Sequence, residues 1–317
     1  MNIYKAEYIW LEELGSSNGR AVVKSTTKIF YLEKDIKSLK INDFKPISIE
    51  SFSHYSNSSY DMILVPCKLY PDPQRADGLL ILCESFNKDM NPTPFNNRRD
   101  LDIILSSEEN LFSPIFNFTQ EYSIDTSKNR DYDPPKESQR DFAEDHLNLM
   151  ISAGINPSGI NKEDNLGWSY GLFGGDGVLS LSDDLIISRY FLDRLSEKYR
   201  YSIVYDSPKI NYFYKLKVII SNDKTRNDIE LSNIRRVIKE LTLNSSLDDI
   251  KDNYGYSRLS EYPSILLKNI DSLKIPLEVR LSQKGYIEDT RPLAHANPYK
   301  VLNFLIKSLK DIKDYNF

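Results

Sequence analysis

A glycine-rich stretch over residues 153–175 carries the side chain with the clearest potential for chemistry. Six glycines punctuate short apolar segments there, and glycine is used where a backbone turns sharply or approaches another group closely. Glu163 lies among them, and Trp168 and Tyr170 follow it. The pattern has two interpretations: a pair of glycine-rich strands in a sheet, or a sheet wall that carries the Glu163 carboxylate into a pocket. Composition alone favours the first.

The elements that must position these residues fall into two regions. Residues 1–95 predict short strands separated by turns, without a helix-length periodic run. The sequence therefore predicts an α+β protein, with a β-rich domain over 1–95 and a larger α/β domain over 96–317. In the second region strands alternate with amphipathic helices, which the pattern places over 101–110, 142–153, from Ser182 onward, and over 227–243, 263–270 and 299–312. Strands are predicted over 112–124, 201–206, 213–221 and 275–281, and polar loops over 46–60 and 125–140.

Composition argues against several classes of protein. No apolar run approaches the roughly twenty residues that cross a bilayer, and the N-terminus lacks the apolar core of a signal peptide. The net charge of −5 gives no reason to expect a nucleic acid or an anionic membrane as partner. We therefore expect a cytoplasmic protein. His146 lies beside Asp145 in a predicted helix, which favours a capped or surface histidine.

A series of segments, read in order, resembles eukaryotic-type glutamine synthetases. They are KAEYIWLEE, DMILVPCKLYPDPQRADGLLILCESF, NPTPFNNRR, FTQEYSI, AGINPSGINKEDNLG and GYIEDTRPLAHANPY. The matches span nearly the whole chain. The resemblance implies an N-terminal β-grasp over 1–95 and a catalytic-type domain with an antiparallel-rich sheet over 96–317.

The resemblance also implies where a metal site would lie. Glutamine synthetases use ATP with Mg²⁺ or Mn²⁺, and carboxylate oxygens are the ligands that such hard cations require. The family's metal-binding glutamates match Glu121, Glu163 and Glu288 here. If a cation binds, Glu121 and Glu163 are expected to hold it.

Three other positions depart from the family's pattern of metal ligands. Thr119 stands where the first glutamate of a strand pair would be, and a hydroxyl is a much weaker ligand for a hard cation. A second glutamate would fall at Ser169 or Tyr170, and the histidine ligand at Ile219 or Ile220. The resemblance therefore implies that the two-metal arrangement is broken.

The remaining site residues of the family are matched in part. Glu50 is the nearest acidic candidate in the loop that positions ammonium, and Glu261 is the candidate for the active-site flap. Arg280 matches an arginine that clamps phosphate and nucleotide. Arg291 keeps the second arginine of the family's E-D-R-R-P run, while Thr290 replaces the first.

Two functions stay open at this point. One is a catalytically impaired pseudoenzyme that acts as an assembly partner or binds a nucleotide or metabolite. The alternative is an active ATP-dependent carboxylate–amine ligase with an altered substrate and a reduced metal site. Family members form rings through head-to-tail contacts, so we expect a homo-oligomer, possibly a ring. The apolar runs over 62–65 and 79–83 could serve that interface or the domain's own core.

Overall fold

A computed structural model describes eleven parts of the chain. These are residues 2–14, 20–53, 58–106, 114–125, 138–163, 167–205, 214–221, 226, 247–254, 273–274 and 286–310. The predicted helices over 227–243 and 263–270 and the predicted strand over 275–281 lie outside them. Glu261 and Arg280 lie outside them as well.

The N-terminal region forms a mixed sheet in the spatial order β2-β1-β5-β4-β3, with β1 and β5 parallel at its centre and the other neighbours antiparallel. Its strands are β1 Asn2–Leu14, β2 Arg20–Leu32, β3 Ile47–Ser53, β4 Ser58–Pro71 and β5 Gly78–Phe86. Short 3₁₀ turns at Ile36–Ser38 and Ile41–Asp43 connect β2 to β3. The prediction of a β-rich region is confirmed, whereas the β-grasp assignment and the domain boundary at residue 95 stay predictions.

The second sheet is built from antiparallel pairs in the order β11-β12-β10-β6-β8-β7, and β9 pairs with the far end of β6. Its strands are β6 Ile115–Asp125, β7 Pro157–Glu163, β8 Gly167–Phe173, β9 Ser202–Val204, β10 Leu216–Ser221, β11 Leu273–Lys274 and β12 Ile287–Asp289. The pair β7–β8 confirms that the glycine-rich stretch forms two strands.

Helices cover the core side of the second sheet. Those in the described residues are α1 Asn97–Ser106, α2 Gln139–Ser152, α3 Val178–Tyr199, α4 Leu247–Tyr254 and α5 Pro298–Lys310. Ser138 caps α2 by accepting a hydrogen bond from the Asp141 N–H, and Asp141 accepts one in return from the Ser138 N–H. None of the helices in these parts of the chain has the length and apolar character needed to cross a membrane.

Three predicted elements differ from the structure. The loop predicted over 46–60 contains strand β3, because Ile47 and Ile49 pack on the N-terminal core. Helix α1 begins at Asn97 rather than at residue 101. Helix α3 begins at Val178 rather than at Ser182, because the two acidic residues that follow Ser182 are buried and bind partners instead of capping a helix.

The N-terminal sheet is apolar on both faces. On β5, Leu79 and Ile81 join one core with Phe44 and Met62. Leu80 and Leu82 point the other way and join the large core that contains helix α3. Alternate residues of a strand face opposite sides, so both faces of this strand are covered within the chain. The apolar run over 79–83, together with Met62 and Leu64, thus packs in the protein's own core.

Arg98 on α1 links the N-terminal sheet to helix α3 through ion pairs. Its guanidinium donates two hydrogen bonds to the Asp183 carboxylate, with Nε 2.9 Å from Oδ1 and Nη2 3.0 Å from Oδ2. Nη1 donates to the Glu84 carboxylate on β5 at 3.0 Å. The Tyr299 hydroxyl of α5 also donates to Asp183, at 2.7 Å. Both carboxylates are buried, so their charges depend on Arg98.

We expect Arg98→Met to destabilise the protein by about 3 to 5 kcal/mol, because it leaves two buried carboxylates without their cation. The matched control is Arg99→Met, because the Arg99 side chain is 47% exposed and its guanidinium pairs with Asp102 at 3.4 Å. That change should cost no more than about 1 kcal/mol. Urea unfolding followed by circular dichroism measures both free energies, and equal losses in the two variants would contradict this role of Arg98.

His146 is buried in the core rather than capped or at the surface, which corrects the expectation from sequence. It lies on the inner side of α2, where its ring packs 4.8 Å from that of Tyr170, centroid to centroid. Its Nε2–H donates to the carbonyl oxygen of Ser188 on α3 at 2.9 Å. Burial lowers the pKa of His146 to about 4, since the charged imidazolium would lose its hydration there.

Acidification should therefore destabilise the fold through His146. The unfolded histidine has a pKa of about 6.5, so the stabilising contribution is complete above that pH. It is lost as the pH falls from about 6.5 to 4, up to about 3 kcal/mol in total, because the unfolded state takes up a proton that the folded state excludes. We expect His146→Phe to show a shallower dependence of unfolding free energy on pH over this interval. Identical slopes for the two proteins would contradict it.

Candidate functional site

Strand β6 has one apolar face and one polar face. Phe118 and Tyr122 point into the core beneath the sheet. Thr119 and Glu121 point to the opposite face, because successive side chains of a strand alternate. The pairing of β6 with β8 and β10 places Ser169 and Lys217 on this same face. We call it the carboxylate face, since it also carries Glu163 and Glu288.

Glu121 is the most deeply buried carboxylate on this face, with 2% of its surface exposed. Its Oε1 lies 2.6 Å from the Lys217 ammonium, and its Oε2 accepts a hydrogen bond from the Lys215 backbone N–H at 3.0 Å. Both donors belong to the start of β10 and the residue before it, which pair with β6. A buried carboxylate requires such compensation, because burial without it would cost several kcal/mol.

The ammonium of Lys217 is attracted by all three glutamates of the carboxylate face. Burial alone would lower the pKa of its ammonium, but the hydrogen bond and attraction of Glu121, together with Glu163 and Glu288, raise that pKa. The spatial order of the strands explains this position. Strand β10 lies between β12, which carries Glu288, and β6, which carries Glu121. The Lys217 ammonium is thus held by Glu121, and the charges of Glu163 and Glu288 add to the attraction.

Glu163 at the end of β7 is oriented by a hydroxyl from the neighbouring strand. The Ser169 Oγ donates to the Glu163 Oε1 at 2.6 Å. Glycine makes the close strand packing possible, since a Cβ at Gly171 would lie 2.0 Å from the Ser158 Oγ of β7. Strand β8 separates β6 from β7, and Glu163 lies two residues beyond the β7 residue that is level with Glu121, so the two glutamates lie roughly 12 Å apart at the level of the backbone.

Glu288 is the third carboxylate of the face. It lies on β12 opposite Ile219 of β10, and its side chain is half-buried. Burial raises the pKa of Glu288, the nearby Glu121 charge raises it further, and Lys217 acts in the opposite sense. The site thus contains a carboxyl that is easier to protonate than usual.

The strand register decides between the paired candidates for the family's missing ligands. Ser169 faces Glu163, whereas Tyr170 lies in the core and exchanges a hydrogen bond with the Ser188 hydroxyl. Ile219 is half-buried opposite Glu288, whereas Ile220 is buried in the core. Ser169 and Ile219 are therefore the residues that border the carboxylate face.

Arg291 is separated from the carboxylate face. Its guanidinium binds Asp289 through Nε at 2.9 Å and Nη2 at 2.8 Å, and Nη2 also donates to the Tyr254 hydroxyl at 3.2 Å. Asp289 is fully buried and alternates with Glu288, so this pair lies on the core side of β12. The structure assigns these contacts to packing of α4 on the sheet. A catalytic role for Arg291 stays a prediction.

Glu50 is also separated from the three carboxylates. It lies on β3, an edge strand of the N-terminal sheet, where it is exposed and pairs in register with Asp61. Its predicted role as an ammonium ligand stays a prediction, as do the roles of Glu261 and Arg280 outside the described residues.

Lys215 and Lys217 are the residues of this site that sequence reasoning missed. They alternate with Leu216 and Val218, which are buried. That period-2 pattern places both lysines on the face opposite the core. The alternation predicts the side of the strand on which the lysines lie. It does not predict that this strand lies beside Glu121. Burial lowers the pKa of Lys215, against the attraction of Glu121 and Asp289.

Curated relatives match nearly the whole chain, although no protein-family model matches it. A glutamine synthetase from Emericella nidulans is 25% identical over 339 residues, which cover 96% of this chain and 92% of that protein. One from Candida glabrata is 26% identical over 340 residues, covering 96% and 88%. One from Streptomyces hygroscopicus is 26% identical over 343 residues, covering 95% of each. The chain is thus similar to glutamine synthetases along nearly its whole length, at 23–26% identity.

The carboxylate face of this glutamine synthetase-like chain does not fit the divalent cations that the family implies. Within the parts of the chain that the structure covers, no three His, Cys, Asp or Glu side chains converge closely enough to hold a metal ion. The Lys217 ammonium lies against Glu121, the most buried of the three glutamates. A second cation there would meet the repulsion of this ammonium. The predicted ligands Glu121, Glu163 and Glu288 thus lie on one face, and Glu121 is paired with a lysine.

Proposed function

We propose that this protein is a glutamine synthetase-like pseudoenzyme, which binds a nucleotide or metabolite or acts in an assembly. The observation that carries the proposal is the contact of 2.6 Å between the Lys217 ammonium and the Glu121 carboxylate. It places one fixed positive charge of the protein among carboxylates that resemble metal ligands. The neighbouring positions Thr119 and Ser169 offer hydroxyls rather than carboxylates.

The chemistry of amide synthesis explains why this arrangement argues against normal activity. Transfer of the γ-phosphoryl group of ATP develops charge on several oxygens, and metal ions normally neutralise it. An ammonium held by Glu121 has only a single charge, and its hydrogen-bonding capacity is partly committed. We therefore infer that Mg²⁺ or Mn²⁺ and ATP are not used here as they are in an active synthetase.

The alternative is an ATP-dependent carboxylate–amine ligase with an altered substrate. One observation favours it: Glu288 is a half-buried carboxyl with a raised pKa on the same face as Glu121 and Glu163. Such a group is suited to proton transfer. An assay of phosphate release in which other amines replace ammonia distinguishes the two alternatives.

We expect the purified protein to turn over glutamate, ammonia and ATP with Mg²⁺ at less than about 1 s⁻¹, which is the low end of ordinary enzymes. The physical reason is that Lys217 engages the carboxylate that a catalytic cation would need. Release of inorganic phosphate measures the rate, and an active glutamine synthetase assayed in parallel is the positive control. Turnover at or above that rate, with glutamine formed, would show the pseudoenzyme proposal to be wrong.

We also propose that the protein is a homo-oligomer, possibly a ring, located in the cytoplasm. The support is an exposed apolar patch formed by Ile3, Ile29 and Tyr31, whose side chains are 57%, 57% and 58% exposed. Ile3 pairs in register with Tyr31 on one face of β1 and β2. Farther along β1 the same face is covered, since Ile9 belongs to the core that contains α3. A second subunit would bury the exposed end of this face of β1 and β2.

We expect the wild-type protein to have a mass above 36.8 kDa, the mass of one chain, in size exclusion coupled to light scattering at micromolar concentration. Tyr31→Lys should shift the mass toward 36.8 kDa, because it places a charge in the buried part of the contact. The matched control is Ile103→Lys on α1, which is 54% exposed and lies outside the patch. A wild-type protein that is monomeric throughout would contradict the proposal.

A further inference from the structure

We propose that the core beneath the second sheet contains an internal hydration site, in which water hydrogen-bonds to the hydroxyls of Tyr122 and Tyr205 and to the Nδ1 of His146. The three side chains come from β6, from the residue after β9 and from α2. The inference does not depend on the proposed function, because none of these groups belongs to the carboxylate face.

The pairing of β9 with β6 brings the two tyrosines together. Ser123 of β6 lies opposite Val204 of β9, and the next pair in this antiparallel register is Tyr122 with Tyr205. Tyr122 is part of the large core, and Tyr205 packs against that core. Burial raises the pKa of the Tyr205 hydroxyl, and Tyr122 is among the nearby groups that raise it further. The two side chains are therefore neighbours on the core side of the sheet.

His146 packs against this cluster from α2. Its ring centroid lies 6.5 Å from that of Tyr122 and 4.8 Å from that of Tyr170. The carbonyl oxygen of Ser188, 2.9 Å from Nε2, can only accept a hydrogen bond, so Nε2 carries the proton of the neutral ring. The other nitrogen, Nδ1, is then an acceptor that requires a donor.

The two hydroxyls and Nδ1 are buried polar atoms without a protein partner. Within the parts of the chain that the structure describes, none of the three makes a hydrogen bond. The Tyr170 hydroxyl, equally enclosed in the same cluster, exchanges one with the Ser188 hydroxyl at 2.9 Å. Buried polar groups in folded proteins are almost always hydrogen-bonded to protein or to ordered water, because an unmatched group loses its hydration without compensation.

The chemistry of the three groups identifies water as the ligand. Burial raises the pKa of Tyr122 and Tyr205 and lowers that of His146, so all three are neutral near pH 7 and do not require an ion. A hydroxyl both donates and accepts, and Nδ1 only accepts, which matches the donors and acceptors of water. Together they supply the roughly two to four polar partners that an internal water uses.

A crystal structure of the full-length wild-type protein, at a resolution that shows ordered water, tests the proposal directly. We expect a water oxygen within about 2.5–3.2 Å of at least two of the three atoms. Oxygen-17 magnetic relaxation dispersion, which detects internal waters that exchange slowly, provides a second measurement in solution. The signal of long-lived water should decrease in Tyr122→Phe.

Thermal unfolding of Tyr122→Phe and Tyr205→Phe distinguishes a hydrated hydroxyl from an unmatched one. Loss of a hydroxyl that binds water should lower the melting temperature by about 2 to 4 °C, because the water loses a partner. Loss of an unmatched hydroxyl should leave the melting temperature unchanged or raise it, since a desolvated polar group is removed. The control is Tyr31→Phe, whose side chain is 58% exposed and whose melting temperature should not change.

The two measurements decide the proposal together. Ordered water on at least two of the three atoms, with a lower melting temperature in at least one of the two core variants, supports it. A wild-type structure without such water overturns it, and so does a melting temperature that falls in neither core variant. If the two hydroxyls bind the same water, Tyr122→Phe/Tyr205→Phe should lose less than the sum of the single losses.

Discussion

The buried carboxylate of Glu121 is the constraint on which the arrangement of the second sheet depends. It lies on the central strand β6 with 2% of its surface exposed, so its charge must be compensated inside the protein. Lys217 supplies the counter-charge and the Lys215 N–H supplies a hydrogen bond. Both come from β10 and the residue before it. Compensation of the Glu121 charge therefore depends on the register of β10 against β6.

The opposite face of β6 depends on a second buried polar contact. Arg189 of α3 donates to the Gln120 side-chain oxygen through Nε at 3.0 Å and Nη2 at 2.8 Å, and to the carbonyl oxygens of Ala294 and Ala296. Burial lowers the pKa of Arg189, which binds neutral acceptors in these contacts. Strand β6, which carries the carboxylate face, is thus held on its core side by hydrogen bonds that join α3, β6 and the segment after β12.

Local pattern was sufficient for elements whose hydrophobic period is unambiguous. Short strands were predicted within 1–95, and the apolar run over 79–83 lies inside strand β5, because a continuous apolar run between turn residues has few alternatives. The start of α3 was not, since Asp183 and Asp184 are typical of helix N-termini but here bind Arg98, Tyr70 and other side chains distant in sequence. Strand β3 was missed because its polar outer face resembles a loop, and only pairing with β4 makes it a strand.

The sequence by itself determined the family resemblance, the α+β class and the positions of Glu121, Glu163 and Glu288, because each of these depends on residues close together in the chain. Only the tertiary structure decided what those glutamates face. Lys217 is almost a hundred residues from Glu121, and its ammonium reaches the carboxylate because antiparallel pairing places β10 beside β6. Arg291 lies in the core because its partner Asp289, which alternates with Glu288 along β12, points to the core side. The alternation of residues 215–218 indicates which side of the strand the lysines occupy, but the contact of Lys217 with Glu121 acts through space and depends on strand pairing.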